Sequence, residues 1–138
     1  RVVPVVLSGD VARDTAAIRE AAGGGADLAF DMVGRATDAN ATLAALRSLA
    51  RNGRMVLMGS MTCDLPVSYG EMLLNNWELI GHFMYSGDDY RALIGLVGAG
   101  LLKLDAIALK RYPFEALEVA IDVAGEAGAL ECVVVCID

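Results

Sequence analysis

Proline, cysteine and histidine are scarce in this chain, and each scarcity removes a class of protein. Three prolines among 138 residues, with 56% hydrophobic and 21% charged residues, place it far from the disordered class and among compact α/β domains. Three cysteines, Cys63, Cys132 and Cys136, form an odd set without a CxxC pair, which argues against a disulfide framework or a zinc knuckle. Cys132 and Cys136 fall in an expected strand, where positions four apart share a face but lie roughly 13 Å apart, too far to share a metal. All three are expected to be small buried thiols. Basic residues are outnumbered: eleven Lys and Arg face eighteen Asp and Glu, a formal net charge of -7 with no long run of one sign. Nucleic acid is therefore not an expected partner, because that binding depends on neutralising phosphates. The longest glycine-tolerant apolar run, Leu93 to Leu102, is half of what a bilayer crossing requires, so no membrane partner is expected. No basic segment followed by an apolar run and a cleavage site opens the chain, and the expected location is the cytoplasm. The chain starts at Arg1 directly in an apolar strand pattern, which reads as a cut end.

What is present is an alternation of two periodicities. Val2 to Leu7 reads as a β-branched strand ended by Ser8, Gly9 and Asp10. Val11 to Ala22 reads as a helix capped by Asp10 and stopped by Gly23, Gly24 and Gly25. Ala26 to Val33 is a second strand, and Thr37 or Asp38 opens a helix through Leu49 whose C-terminal turn is Asn52-Gly53. Arg54 to Gly59 is a near-continuous apolar strand of the kind buried on both faces. A short helix over Tyr69 to Asn75, a strand over Trp77 to Tyr85 and a helix over Gly87 to Gly98 follow. Ile107 to Phe114 is extended, Glu115 to Val123 helical, and Leu130 to Ile137 a terminal strand. Such alternation predicts an open, doubly wound parallel sheet. No internal repeat or linker interrupts it, so the chain reads as a single domain over 1–138.

Glycine clusters in α/β chains invite a phosphate-binding reading, and these do not support it. Gly23 to Gly25 follows a helix and precedes a strand, the reverse of the order a phosphate-binding turn needs. Gly95, Gly98 and Gly100 sit in or after a helical pattern and suit close packing or a helix stop. Two strand ends carry more information: Asp31-Met32-Val33-Gly34 and Met58-Gly59-Ser60. In open α/β sheets ligands lie at the carboxyl ends of strands. A glycine there lets a ring or ribose approach the backbone, or simply makes the strand-to-loop turn; the local pattern admits both.

Longer stretches carry a resemblance. Gly25-Ala26-Asp27-Leu28-Ala29-Phe30-Asp31-Met32-Val33-Gly34, then Leu43 to Leu49, then Asn52-Gly53-Arg54-Met55-Val56-Leu57-Met58-Gly59, are similar to the second mononucleotide-binding half of the zinc-type medium-chain alcohol dehydrogenase/reductase family. Asn76-Trp77-Glu78-Leu79-Ile80-Gly81-His82-Phe83 resembles that family's strand before the dimer interface, and Tyr112-Pro113-Phe114-Glu115-Ala116-Leu117-Glu118-Val119-Ala120 its late helix entry. The resemblance implies a partial Rossmann-type fold, the C-terminal part of a nucleotide-binding domain. It also implies a parent oxidoreductase that moves a hydride between an alcohol and a carbonyl, with NAD or NADP as cofactor and a catalytic zinc. By position, Val33, Gly34 and Arg35 are implied near the nicotinamide ribose, Met58 and Gly59 near the nicotinamide ring or its carboxamide, and Phe83 and Met84 beside that amide. A homodimer through Trp77 to Tyr85 is implied as well.

Several family parts have no counterpart in the sequence: the glycine fingerprint, the acidic residue that reads the adenosine ribose, and the catalytic domain with its zinc ligands. The chain alone is accordingly expected to be inactive, and the Val2 to Leu7 strand to be displaced, swapped or paired with other chain. Glu131 stands where family members often carry a basic residue, and its charge would repel a phosphate. His82, the one histidine, has no evident partner and is read as structural or interfacial rather than as a general base. Two other readings remain open: a stand-alone association module that adds the Trp77 to Tyr85 edge to a partner's sheet, and a reductase of the same family that uses no zinc.

Overall fold

The computed structural model describes residues 2–137, and these fall into two compact units, 1–84 and 85–138. In the first, helix α1 (Val11–Ala21) starts where the Asp10 carboxylate accepts the Arg13 N–H at 2.8 Å. It stops at Gly23, whose φ of 74° no β-carbon opposes; Gly23 N–H donates to Glu20 C=O and Gly24 N–H to Arg19 C=O, which satisfies carbonyls the helix end would orphan. Strand β1 (Ala26–Asp31), helix α2 (Asn40–Arg47), strand β2 (Leu49–Leu57), helix α3 (Tyr69–Asn75) and strand β3 (Glu78–Gly81) follow. The three strands form one parallel sheet in the order β1-β2-β3, so the chain order is also the spatial order.

The core of this unit is Leu46, Leu49 and Met55, all essentially buried, ringed by Ala26, Ala29, Ala45, Leu57, Val67, Trp77 and Leu79. Each fully buried Leu or Met contributes about 1.5–3 kcal/mol of transfer free energy. That gain explains a departure from the sequence reading. Helix α2 ends at Arg47, with Ser48 closing it, and β2 begins at Leu49, so Asn52-Gly53 lies within the strand rather than ending a helix. Beginning the strand at Leu49 puts its side chain into the core. The chain then kinks at Asn52, where φ is 63°, and the register with β1 jumps from Ala26↔Leu49 to Leu28↔Arg54. Gly53 is required at the kink, because a β-carbon there would sit 2.9 Å from Ala50 C=O and 3.0 Å from Leu49 Cβ.

Two further expectations are corrected. Residues 2–7 form no strand: they pair with none of the described strands, and Val2 and Val6 are each 93% exposed. An isolated apolar extended segment has no ladder to satisfy its backbone and stays open. The strand expected over Trp77 to Tyr85 is confined to Glu78–Gly81. It begins after Asn76, which is left-handed at φ 52°, and its last ladder bond, His82 N–H to Leu57 C=O at 2.9 Å, coincides with the end of β2, its one partner among the described residues.

In the second unit, helix α4 (Gly87–Gly98) opens with a capping box in which Ser86 and Asp89 exchange side-chain and backbone hydrogen bonds. Strand β4 (Ala108–Pro113), a 3-10 turn (Phe114–Ala116), helix α5 (Leu117–Gly125) and strand β5 (Glu131–Cys136) form a parallel two-stranded sheet with α5 packed on it. The cysteines are not buried as expected: Cys63 and Cys136 are half-buried and Cys132 is exposed. Cys132 is the register partner of Leu109, itself 53% exposed, and a single helix cannot cover both faces of the pair. Glu131 is engaged locally, 3.0 Å from Lys110 Nζ and accepting the Gly128 N–H at 3.1 Å.

Candidate functional site

Parallel pairing brings the carboxyl ends of β1, β2 and β3 to one edge of the sheet, and the sequence-derived candidates lie there. The loops leaving β1 and β2 continue as a zipper beyond the strands. Met58 N–H donates to Asp31 C=O at 3.0 Å, Ser60 N–H to Val33 C=O at 2.9 Å and Ala36 N–H to Ser60 C=O at 2.9 Å, and Ala36 and Met61 close a last parallel bridge. Val33, Gly34, Arg35, Met58 and Gly59 are thereby brought together. Gly59 is held so closely that a β-carbon would lie 2.5 Å from Val33 C=O, a distance no side chain can occupy. At Gly34 a β-carbon would meet nothing within 4 Å, so the space beside it is open.

Phe83 and Met84 follow β3 on the same edge, both exposed, and Met84 takes a left-handed φ of 60°. Arg35 does likewise at 55°. Non-glycine residues seldom adopt this region, and where they do the surroundings must hold them there. The Arg35 N–H donates to Ser60 Oγ at 2.8 Å. His82 is exposed, and its backbone rather than its imidazole serves the ladder.

Asp31 and Ser60, which the sequence reading quoted in the two strand-end motifs without giving either a role, complete the site. Asp31 is 8% exposed; its Oδ1 accepts the Val33 N–H at 3.0 Å and its Oδ2 the Thr42 hydroxyl at 3.2 Å, tying the turn after β1 to α2. Ser60 ties the same turn to the loop after β2. A carboxylate inside the apolar run Phe30-Asp31-Met32 was the available signal for the first; a hydroxyl after Gly59 is too common to have singled out the second.

The zipper commits most backbone groups of the edge and leaves a few free. Among the described residues, Gly34 N–H, Met58 C=O and Gly59 N–H make no hydrogen bond, nor do the backbone groups of Phe83 and Met84. Two donors and an acceptor are thus left free on adjacent strand ends, where Val33 and Met58 are also exposed. A metal is another matter. No group of three or more His, Cys, Asp or Glu among the described residues could hold one, so zinc finds no fitting site in them.

A parallel α/β unit with its free polar backbone groups at the carboxyl strand ends defines half of a nucleotide-binding fold. The sequence model of the zinc-binding dehydrogenases matches residues 4–99, and the chain belongs to that family. No curated protein matches the sequence. Among solved structures, benzyl alcohol dehydrogenase from Acinetobacter calcoaceticus is similar with a TM-score of 0.69 at 19% identity, over 88% of this chain and 34% of that one. An E. coli CFT073 alcohol dehydrogenase complexed with NADH aligns with a TM-score of 0.69 at 17% identity, over 86% of this chain and 34% of its own. A cobalt- and zinc-bound thermostable alcohol dehydrogenase from Pyrobaculum aerophilum gives 0.63 at 18%, over 89% and 34%. These likenesses establish the fold, and the chain spans about a third of the length of each.

Proposed function

We propose that this chain is the second mononucleotide-binding half of an NAD(P)-dependent alcohol dehydrogenase, and that the carboxyl edge of β1, β2 and β3 binds the nicotinamide. The observation that carries the reading is the set of free backbone groups, Gly34 N–H, Met58 C=O and Gly59 N–H, on adjacent strand ends in a zinc-binding dehydrogenase. Val33, Gly34 and Arg35 would face the nicotinamide ribose, Met58 and Gly59 the ring or its carboxamide, and Phe83 and Met84 the amide.

A nicotinamide held by the Gly34 N–H, Met58 C=O and Gly59 N–H would supply the hydride acceptor or donor for interconverting an alcohol and a carbonyl compound. The residues of this chain bind and orient. A carboxamide held by one acceptor and two donors fixed in the backbone cannot rotate freely, and exposed Val33 and Met58 supply the apolar wall that limits water at the ring. The zinc that polarises the substrate oxygen in such enzymes would come from protein outside this chain, as would the adenosine site. The 138-residue chain alone is therefore inactive.

The test is amide NMR of the labelled chain, alone and joined to its upstream sequence, titrated with reduced nicotinamide mononucleotide. The expected result is chemical-shift change centred on Gly34 and Gly59. Absence of any change in the joined protein would remove the reading. The edge position of β3 and the exposure of Ile80 and Phe83 favour a second reading, an association module pairing through this strand. It predicts a dimer with no nicotinamide affinity, whereas a dehydrogenase dimer binds the nucleotide.

A further inference from the structure

We infer that Asp31 is a positioning residue: its carboxylate takes the Val33 N–H out of the ladder between the ends of β1 and β2 and so leaves the Met58 C=O free for a ligand. The inference rests on the nicotinamide reading of this edge and names a residue outside that reading's contact set. In a parallel ladder, a residue whose C=O accepts from one residue of the partner strand donates its own N–H to the C=O two residues earlier on that strand. Two bonds set the register past the strand ends: Met58 N–H donates to Asp31 C=O at 3.0 Å and Ser60 N–H to Val33 C=O at 2.9 Å. Continued without interruption, that register sends the Val33 N–H to the Met58 C=O. It goes instead to Asp31 Oδ1, at 3.0 Å, and the Met58 C=O accepts no hydrogen bond among the described residues.

Asp31 is held in place for this diversion. It is buried, and its second oxygen, Oδ2, accepts the Thr42 hydroxyl of α2 at 3.2 Å, which fixes the orientation of the carboxylate. Oδ1 lies in the gap between the two loops: a β-carbon on Gly59 would come within 3.3 Å of it and 3.0 Å of the Val33 nitrogen. A carboxylate is a stronger acceptor than a carbonyl, and one placed two residues back in the chain is reached through a tight local turn, so the side-chain bond replaces the ladder bond. The consequence falls on the neighbouring strand end. Met58 C=O is the one acceptor in the set Gly34 N–H, Met58 C=O and Gly59 N–H, and the NH2 of a carboxamide needs an acceptor. A carbonyl engaged by the Val33 N–H would keep a second lone pair, so its capture would weaken the ligand contact without abolishing it.

Asp31→Ala removes the diverting oxygen and Asp31→Asn keeps one. Scalar coupling across the hydrogen bond, from the Val33 nitrogen to the Met58 carbonyl carbon, reads the ladder bond directly in the labelled chain. Titration of the protein joined to its upstream sequence with reduced nicotinamide mononucleotide reads the consequence. The unsubstituted chain should show no such coupling; Asp31→Ala should show it, with affinity weakened roughly tenfold, the worth of one hydrogen bond. Asp31→Asn should bind as the unsubstituted protein does and show no coupling. Unchanged amide protection of Met55 in the core is the control that the fold persists. The coupling in the unsubstituted chain overturns the inference, a measurement that depends on no variant folding. Wild-type affinity in Asp31→Ala also overturns it, and so does a loss in Asp31→Asn as large as in Asp31→Ala, which would assign the effect to charge. If the unsubstituted protein fails to bind the mononucleotide, the cofactor reading falls and this inference with it, whereas binding that Asp31→Ala leaves intact removes the inference alone.

Discussion

Gly34 and Gly59 occupy matching places at the ends of adjacent strands, yet the structure asks opposite things of them. Gly59 has Val33 C=O where a methyl would go, 2.5 Å away, so Gly59→Ala must push the two loops apart. We expect a loss of about 1–3 kcal/mol in urea unfolding, the range for forced overpacking. Gly34 faces open space, and Gly34→Ala should change stability by less than about 0.5 kcal/mol while the added methyl intrudes where the nicotinamide is proposed to lie. From sequence the two glycines could not be told apart, since both end a strand before a loop. What separates them is the parallel pairing that places Val33 beside Gly59, a contact between residues 26 apart in the chain. Ser60 and Asp31 stood in the two strand-end motifs without a role for the same reason: their partners are set by how the chain segments meet.

Elements were more legible than contacts, because caps and periodicity are local. Asp10, Gly23 and the Ser86–Asp89 box bound their helices much as the residue types suggest. Where the reading failed, tertiary burial had overridden it, as at Leu49, or the partner was missing, as for residues 2–7. The first turn of α1 supports a prediction of its own. Asp14 is almost fully buried, and its carboxylate accepts the Ser8 N–H, the Ser8 hydroxyl and the Gly9 N–H. The Ser8 backbone bond above all, then the Ser8 hydroxyl, holds its pKa below the ordinary 3.8. A folded-state pKa below the unfolded one means that the carboxylate stabilises the fold at neutral pH, and that this contribution disappears as pH falls through the folded value. Asp14→Asn should therefore lower the urea midpoint at pH 7, with the gap from wild type closing as pH falls below the ordinary 3.8 and through the lowered folded value. Glu131, lowered from 4.5 by the Gly128 N–H and by Lys110, steepens the same acid limb, so the comparison is best made as a difference between the two proteins.

On the scale of the whole molecule, the surface is too large. It measures 10236 Å², whereas two separately folded units of 84 and 54 residues would together expose about 8,200 Å² by the scaling of folded monomers with mass. Large apolar side chains contribute to it. Leu28, Phe30 and Ile80 are exposed on the sheet of the first unit, and Tyr90, Leu93, Ile94, Leu96 and Val97 along α4. Surfaces of this kind associate. Sedimentation velocity at tens of micromolar should show self-association of the 138-residue chain. A chain that stays monomeric in isolation would contradict this.

The sheet of the first unit has one more consequence, in time rather than space. Every strand pair is parallel and is closed through a helix, so no hairpin exists to start it, and a strand must wait some two dozen residues for its partner: Ala26 for Leu49, Arg54 for Glu78. Because spatial order follows chain order, each new strand adds beside the one just made. At a ribosomal rate of roughly 5–20 residues per second, β1 is exposed for at least a second before β2 can cover its edge, and β2 for as long before β3. The sheet is laid down as a wall is, course upon course, and during synthesis the edge still waiting for its next partner is the newest one.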